Sequence, residues 1–189
     1  MIIKILHTKG ADFMRAKRMR TPAATVLLWV LLIGYLLLLY RVILFKFPID
    51  TIFDILMDRD ELEFTRVNLI PFQTIRFYLF SGRVPLVTAV RNLLGNILAF
   101  VPLGILIPLI RRDLSIVFTF VTALALSASI EITQLVTGLG SCDIDDIILN
   151  VFGAMLTCVL LTSLDLFVYI GKTAAKKLKK ALDKSRKTR

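Results

Sequence analysis

From Val26 to Tyr40 the chain runs without a charged residue, and it holds several further stretches of this kind. About 20 apolar residues in a row suffice to cross roughly 30 Å of hydrocarbon. Inside lipid the backbone must satisfy its own hydrogen bonds, which leaves helices or a closed barrel. Barrel strands alternate apolar and polar side chains. Val26–Tyr40 does not alternate, so helices are expected. With 57% hydrophobic residues in 189, an ordinary soluble domain is excluded.

Four spans are predicted, at 25–45, 92–110, 114–136 and 143–170. They make an all-α integral membrane four-helix bundle. A basic segment, 1–24, precedes it and a basic tail, 171–189, follows it. A loop of about 46 residues, 46–91, joins the first two spans. Pro102 and Pro108 fall inside the second span, where membrane helices tolerate them with a kink. The first span is read as a retained anchor, because its apolar run is longer than a signal-peptide core and no small-residue cleavage site follows. No internal repeat is visible.

Charge orients the bundle. Lys and Arg concentrate in 1–24, 111–113 and 172–189, whereas the loop 46–91 balances six basic against six acidic residues. By the positive-inside rule both termini are cytoplasmic and the long loop is extracytoplasmic, in a cell membrane. The net charge of +10 is then mostly topology. The Lys-rich tail suits anionic lipid head groups, and no nucleic-acid motif supports the other reading of a basic tail. Membrane lipids are therefore the expected partners, and the sequence sets no oligomeric state. Cys142 and Cys158 lie about 24 Å apart along one helix, too far for a disulfide within the molecule. A single histidine, His7, argues against a zinc site, and no metal or cofactor is expected.

The informative residues are polar ones inside apolar helices, because an ionisable group there is costly. Ser127, Glu131 and Gln134 fall on one face of the third span. Asp143, Asp146, Asn150 and Gly153 do so in the fourth, and Asn92 with Asn96 in the second. Since alternate helices run in opposite directions, all three stripes occupy the extracytoplasmic halves of their helices. Plainer readings stand beside this one. Asp143 and Asp146 open a helix, where carboxylates cap free N–H groups. Asn92 and Asn96 can serve as interhelical glue. Ser127 can bond its own backbone and counts for little. Asp145 points off the stripe and is expected to be an exposed N-terminal acid. Asp165, at the other end of the span, is given a structural role near Lys172. Glu131 is the hardest to dismiss, because a buried acid needs a partner, a proton or an aqueous cavity.

Asn68-Leu-Ile-Pro-Phe72, Asn92-Leu-Leu-Gly-Asn96 with Phe100-Val-Pro102-Leu-Gly104, Glu131-Ile-Thr-Gln134, and Asp143-Ile-Asp-Asp146 with Asn150-Val-Phe-Gly153 occur in this order. This array resembles the VanZ-like family over residues 65–165. Founding members accompany glycopeptide-resistance gene clusters and are associated with reduced susceptibility to teicoplanin. The resemblance implies a membrane protein of the cell envelope. This sequence departs from the pattern by lacking an Arg between Gln134 and Asp143. Any role of that Arg falls to Arg66, Arg76, Arg83 or Arg91, or is absent.

Within the loop, Ile49, Ile52, Phe53 and Leu56 interleave with Asp50, Asp54 and Asp58 at helical spacing, predicting a short interfacial helix. Pro71 disfavours helix at Ile70, so Asn68–Phe72 is expected to be extended or turned. It is either a lid over the polar pocket or an interfacial anchor. Three functions follow. One is an enzyme on an envelope lipid or lipid-linked precursor. Glu131 would be its proton donor, since burial favours the neutral form of a carboxyl group, and the better-solvated Asp146 would be the acceptor. Gln134, Asn96 and Asn150 would orient substrate. The second is a binder of a lipid head group, a glycolipid, a lipoglycopeptide or a hard cation through the same oxygens. The third is a structural or partner-binding membrane protein whose polar residues are interhelical glue.

Overall fold

The computed structural model describes residues 21–44, 67–111 and 115–187. Their elements run α1 (Pro22–Leu44), β1 (Val67–Asn68), α2 (Gln73–Phe80), α3 (Leu86–Ile110), α4 (Ser115–Thr137), β2 (Cys142–Asp143) and α5 (Ile144–Lys187). Helices α1, α3, α4 and α5 are each long and apolar enough to cross a membrane. The chain is a multi-pass helical membrane protein.

The close pair at the centre is α3 and α5. A Cβ on Gly104 would collide with the carbonyl oxygen of Ala154, and one on Gly153 with that of Ile97. Lipid tails are as apolar as Leu, so helices in a bilayer associate by close packing over small residues rather than by a hydrophobic drive. Around this crossing Phe100, Leu103 and Ile107 of α3 pack with Ala123 and Ile130 of α4, Ala154 of α5, and Leu32 and Leu39 of α1. Most of α1 is exposed, with Val30, Leu37 and Val42 each more than half accessible, as suits a lipid-facing helix. Two phenols tether it: Tyr35 donates to the Ala99 carbonyl at 2.8 Å, and the Tyr40 hydroxyl lies 2.7 Å from that of Ser129.

Several boundaries differ from the sequence reading. The second span starts at Leu86 rather than near Asn92. Pro85, at φ −55°, suits a helix entrance, Leu86-Val87 prolongs the apolar run, and Arg91 is accommodated because it is exposed. The helix continues through Pro102 and Pro108. At the other end, α5 does not stop near residue 170 but continues to Lys187, because Ala174-Ala-Lys-Lys-Leu-Lys-Lys-Ala181 is rich in strong helix formers. Helix α4 ends at Gly138, whose φ of 71° makes it a left-handed C-terminal cap.

The interfacial helix expected over 49–58 lies outside the described residues. Two loop features went unforeseen. One is the eight-residue helix α2. The other is a strand pair of two residues each beside the helical bundle: β1 and β2 run in parallel, Val67 beside Cys142 and Asn68 beside Asp143.

Candidate functional site

The strand pair brings the loop onto the start of α5, and the polar stripes meet there. A cavity of about 280 Å³ opens between the helices. Its wall includes Thr74 and Tyr78 of α2, Asn92 and Asn96 of α3, Glu131 and Gln134 of α4, and Asp143, Asp146 and Asn150 around the start of α5. The structure thus gathers Asn92, Asn96, Glu131, Gln134, Asp143, Asp146 and Asn150 from the three polar stripes. Asn68 is bonded to Asp143.

Each stripe arrives by its own helix geometry. On α4, residues four and three apart share a face, so Glu131 and Gln134 turn inward together and are almost wholly buried. Gly140 lies so close against the Gln134 side chain that a Cβ there would crowd it at 2.9 Å. On α5, Asp146 is half-buried and receives an N–H from Asn96 at 2.5 Å, which joins α5 to α3. One turn deeper, Asn150 donates to Ser127 at 2.9 Å, joining α5 to α4. Its other amide atom, Oδ1, is buried without a hydrogen-bond partner.

The first three acids of this region do structural work, and for Asp143 it includes the helix-capping role weighed from sequence. Glu131 accepts the backbone N–H of Asp143 at 2.8 Å, which seats β2 against α4. Asp143 accepts the N–H of Asp145 at 2.9 Å, the bond of an N-cap to the second helical residue. It also takes Asn68 at 3.1 Å and the Thr74 hydroxyl at 2.5 Å. Asn68 in turn donates to Thr74 at 2.9 Å and accepts from the Ile70 N–H at 3.1 Å.

Asp145 requires a correction. Expected to be exposed, it is fully buried. Its two oxygens accept the backbone N–H groups of Phe72 at 2.5 Å and Ile75 at 3.0 Å. A carboxylate from α5 therefore caps the N-terminus of α2, where free donors and the helix dipole both favour negative charge. Phe72 has φ 64°, a region that bulky residues seldom occupy, and the Asp145 bond holds it there. The helical wheel of α5 correctly turned Asp145 away from the stripe. It could not show that the loop folds over that side. Ser127, set aside from sequence, is buried and accepts from Asn150.

Thr74 and Tyr78 were missed altogether, although their spacing of four on a helix is the same signal that found the other stripes. Tyr78 accepts from Asn92 at 2.8 Å, tying α2 to α3. Among the described residues, Arg76, Arg83 and Arg91 are exposed and none lines the cavity; Arg66 lies outside them. No group of three or more His, Cys, Asp and Glu among the described residues is placed to hold a metal ion. Cys142 is partly exposed beside the cavity and Cys158 is buried, and neither is bridged. Burial raises the Cys142 thiol above its usual pKa, and the charges of Glu131 and Asp143 raise it further.

This constellation lies within residues 32–167, the part of the chain matched by the VanZ/LLP1 family model. The chain belongs to that family. Protein VanZ of Enterococcus faecium is 32% identical to it over 66 residues, 35% of this chain and 41% of the relative. The match therefore spans about two fifths of that VanZ protein's length. No solved structure matches the chain. In this VanZ/LLP1 protein the polar cavity is an assembly of all three internal helices with the α2 loop, and the carboxylates that frame it also fasten the loop down.

Proposed function

We propose that this VanZ-like membrane protein binds or acts on the head group of an envelope lipid or lipid-linked precursor in the outer leaflet of the cell membrane, and that it thereby lowers susceptibility to teicoplanin. The observation that carries the reading is the cavity itself. It is polar, it lies at the loop end of an apolar bundle, and Asn150 on its wall has a buried oxygen without a hydrogen-bond partner. The basic tail lies at the opposite end of α5, and the positive-inside rule then supports an extracytoplasmic cavity. Glu131 and Asp146 are the candidate pair for proton exchange if the head group is chemically altered, with Asn96, Gln134 and Asn150 orienting it.

Size separates two ways of affecting the drug. A cavity of about 280 Å³ compares with roughly 30 Å³ for one water, so it holds a group of on the order of ten heavy atoms. A glycosylated, acylated peptide antibiotic is many times larger. Direct engulfment of the drug is therefore disfavoured, and a change in the surrounding lipid is favoured. The fatty-acyl chain of teicoplanin anchors it in the outer leaflet, which raises its effective concentration at the cell-wall target. A protein that alters lipid there weakens this advantage and leaves the peptide target untouched.

The test is internal. Strains with and without the gene are compared against teicoplanin and a version lacking its acyl chain. Deletion is expected to sensitise to the acylated drug alone. Equal shifts for both compounds, or none, would remove the resistance reading. The bonds that Asp143 and Asp145 make to the loop favour a second, purely architectural role for those two residues. Under it, the acidic network holds the loop in place and a partner protein carries the function.

A further inference from the structure

The hydrogen-bonding character of the wall narrows the ligand class. Four of its residues, Asn92, Asn96, Gln134 and Asn150, are carboxamides. A carboxamide offers both N–H donors and a carbonyl acceptor, so such a wall suits groups that can answer in both senses. Asn150 sets the sharper demand. It is 2% exposed, its nitrogen is committed to Ser127, and its Oδ1 is buried without a partner. Native proteins leave few polar atoms in that state, and each calls for an explanation. At this one, an incoming donor supplies it.

We infer that the cavity takes the hydroxyl-rich head group of an uncharged glycolipid, a single sugar ring with one hydroxyl donating to Asn150 Oδ1. The inference rests on the lipid reading proposed above and deepens it. An ammonium group only donates and leaves the carboxamide N–H groups unanswered. A phosphate only accepts, cannot serve Asn150 Oδ1, and would enter a wall that contains Glu131, Asp143 and Asp146. A hydroxyl does both, and adjacent hydroxyls on a ring match paired acceptors on carboxylates and amides. The volume agrees, since one hexose ring with its hydroxyls has on the order of ten heavy atoms, as the cavity does.

The test uses the full chain in phosphatidylcholine nanodiscs, purified without any sugar-based detergent. Monoglucosyl-diacylglycerol, phosphatidylglycerol and phosphatidylethanolamine are titrated separately, with methyl glucoside as the lipid-free arm. Binding is read by native mass spectrometry and by thermal unfolding. The expected result is saturable binding of the glucolipid at least tenfold tighter than of the two phospholipids. Asn150→Leu, close in shape and lacking the acceptor, is expected to weaken it tenfold or more. Because Asn150→Leu also strips Ser127 of its partner, the double variant Ser127→Ala/Asn150→Leu is measured too. It replaces both ends of the buried bond, which proteins tolerate better than one, and is expected to keep its unfolding temperature and still lose binding. Preference for either phospholipid, or unchanged binding in the double variant, would overturn the sugar assignment and leave the lipid reading standing. Methyl glucoside bound as tightly as the glucolipid would keep the hydroxyl chemistry and overturn the lipid part. No saturable binding of any lipid would bring down both.

Discussion

Two regions of the α3–α5 pair are built on opposite principles. At the Gly104 and Gly153 crossing the helices meet backbone to backbone, each glycine set against a carbonyl of the other helix. About two turns nearer the loop, Asn96 and Asp146 bridge the same two helices by a side-chain hydrogen bond, and beyond them acids reach out to β1 and α2. In lipid, close packing is available to any pair of helices with small residues, and hydrogen bonds are few and specific. The crossing therefore fixes where the helices lie, and the polar end fixes what is mounted on them. Loss at the first should dismantle the bundle. Loss at the second should release the loop or silence the cavity with the bundle intact.

The largest effect should come from the crossing. Gly153→Val drives a branched side chain into the Ile97 backbone, which only movement of the helix can relieve. The expected cost is about 3 kcal/mol or more, seen as collapse of folded yield and of the unfolding temperature in detergent. Gly34→Val is the control, because a Cβ added there meets nothing within 4 Å, and it should be near neutral. Equal damage from both would mean that the crossing has no special place in the architecture.

The loop latch should come next. Asp145→Ala leaves the partly buried N–H groups of Phe72 and Ile75 without their acceptor, at about 1 kcal/mol for each lost bond. Amide hydrogen exchange should quicken over residues 72–80 and stay unchanged in α3 and α5. Faster exchange throughout the spans would show that the two regions are not separable.

How far this division was legible in the sequence depends on which contacts are local to a helix. Spacing of three and four residues placed Glu131 with Gln134 and Asp146 with Asn150, and alternating helix direction put the stripes at one end. Those inferences need no knowledge of the loop. The contacts of Asp145 and Thr74 were not recovered, because they join residues up to 73 apart. They depend on how the loop folds over the start of α5. The β1–β2 pair was equally hidden, since two residues of strand carry no periodicity. The glycines of the crossing were visible only as parts of motifs, because the sequence does not say which carbonyl approaches them.

A smaller structural effect, with a larger functional one, is expected inside the cavity. Glu131→Gln and Asp146→Asn keep shape and remove negative charge. Both should abolish the drug phenotype and shift the unfolding temperature little, whereas Asp165→Asn, half-buried further along α5, should be mild in both respects. Full activity in the two cavity variants would leave the polar end purely architectural. Loss of activity through misfolding alone would lead to the same conclusion.

The smallest expected effect concerns Cys142, which sits where the loop meets the bundle and so reports on both. Its thiol is held above the usual range first by burial and then by the negative charges of Glu131 and Asp143. The thiolate is the species that attacks a maleimide, so raising the pKa means less thiolate at neutral pH and slower labelling than at an ordinary exposed cysteine. The rate should keep climbing as pH rises beyond the ordinary thiol pKa. Glu131→Gln removes one of the charges that disfavour the thiolate, so it should speed labelling at pH 7, by less than the whole slowing because burial is the larger cause. Cys158, with no exposed surface in the bundle, should stay unlabelled. With a membrane-impermeant maleimide on intact cells, the same experiment tests which side the cavity faces. Slow, pH-dependent labelling that Cys142→Ser abolishes is the expected result. Labelling only after the membrane is opened would turn the cavity to the cytoplasm and remove the outer-leaflet role. A Glu131→Gln variant that labels no faster would separate Cys142 from the acidic network.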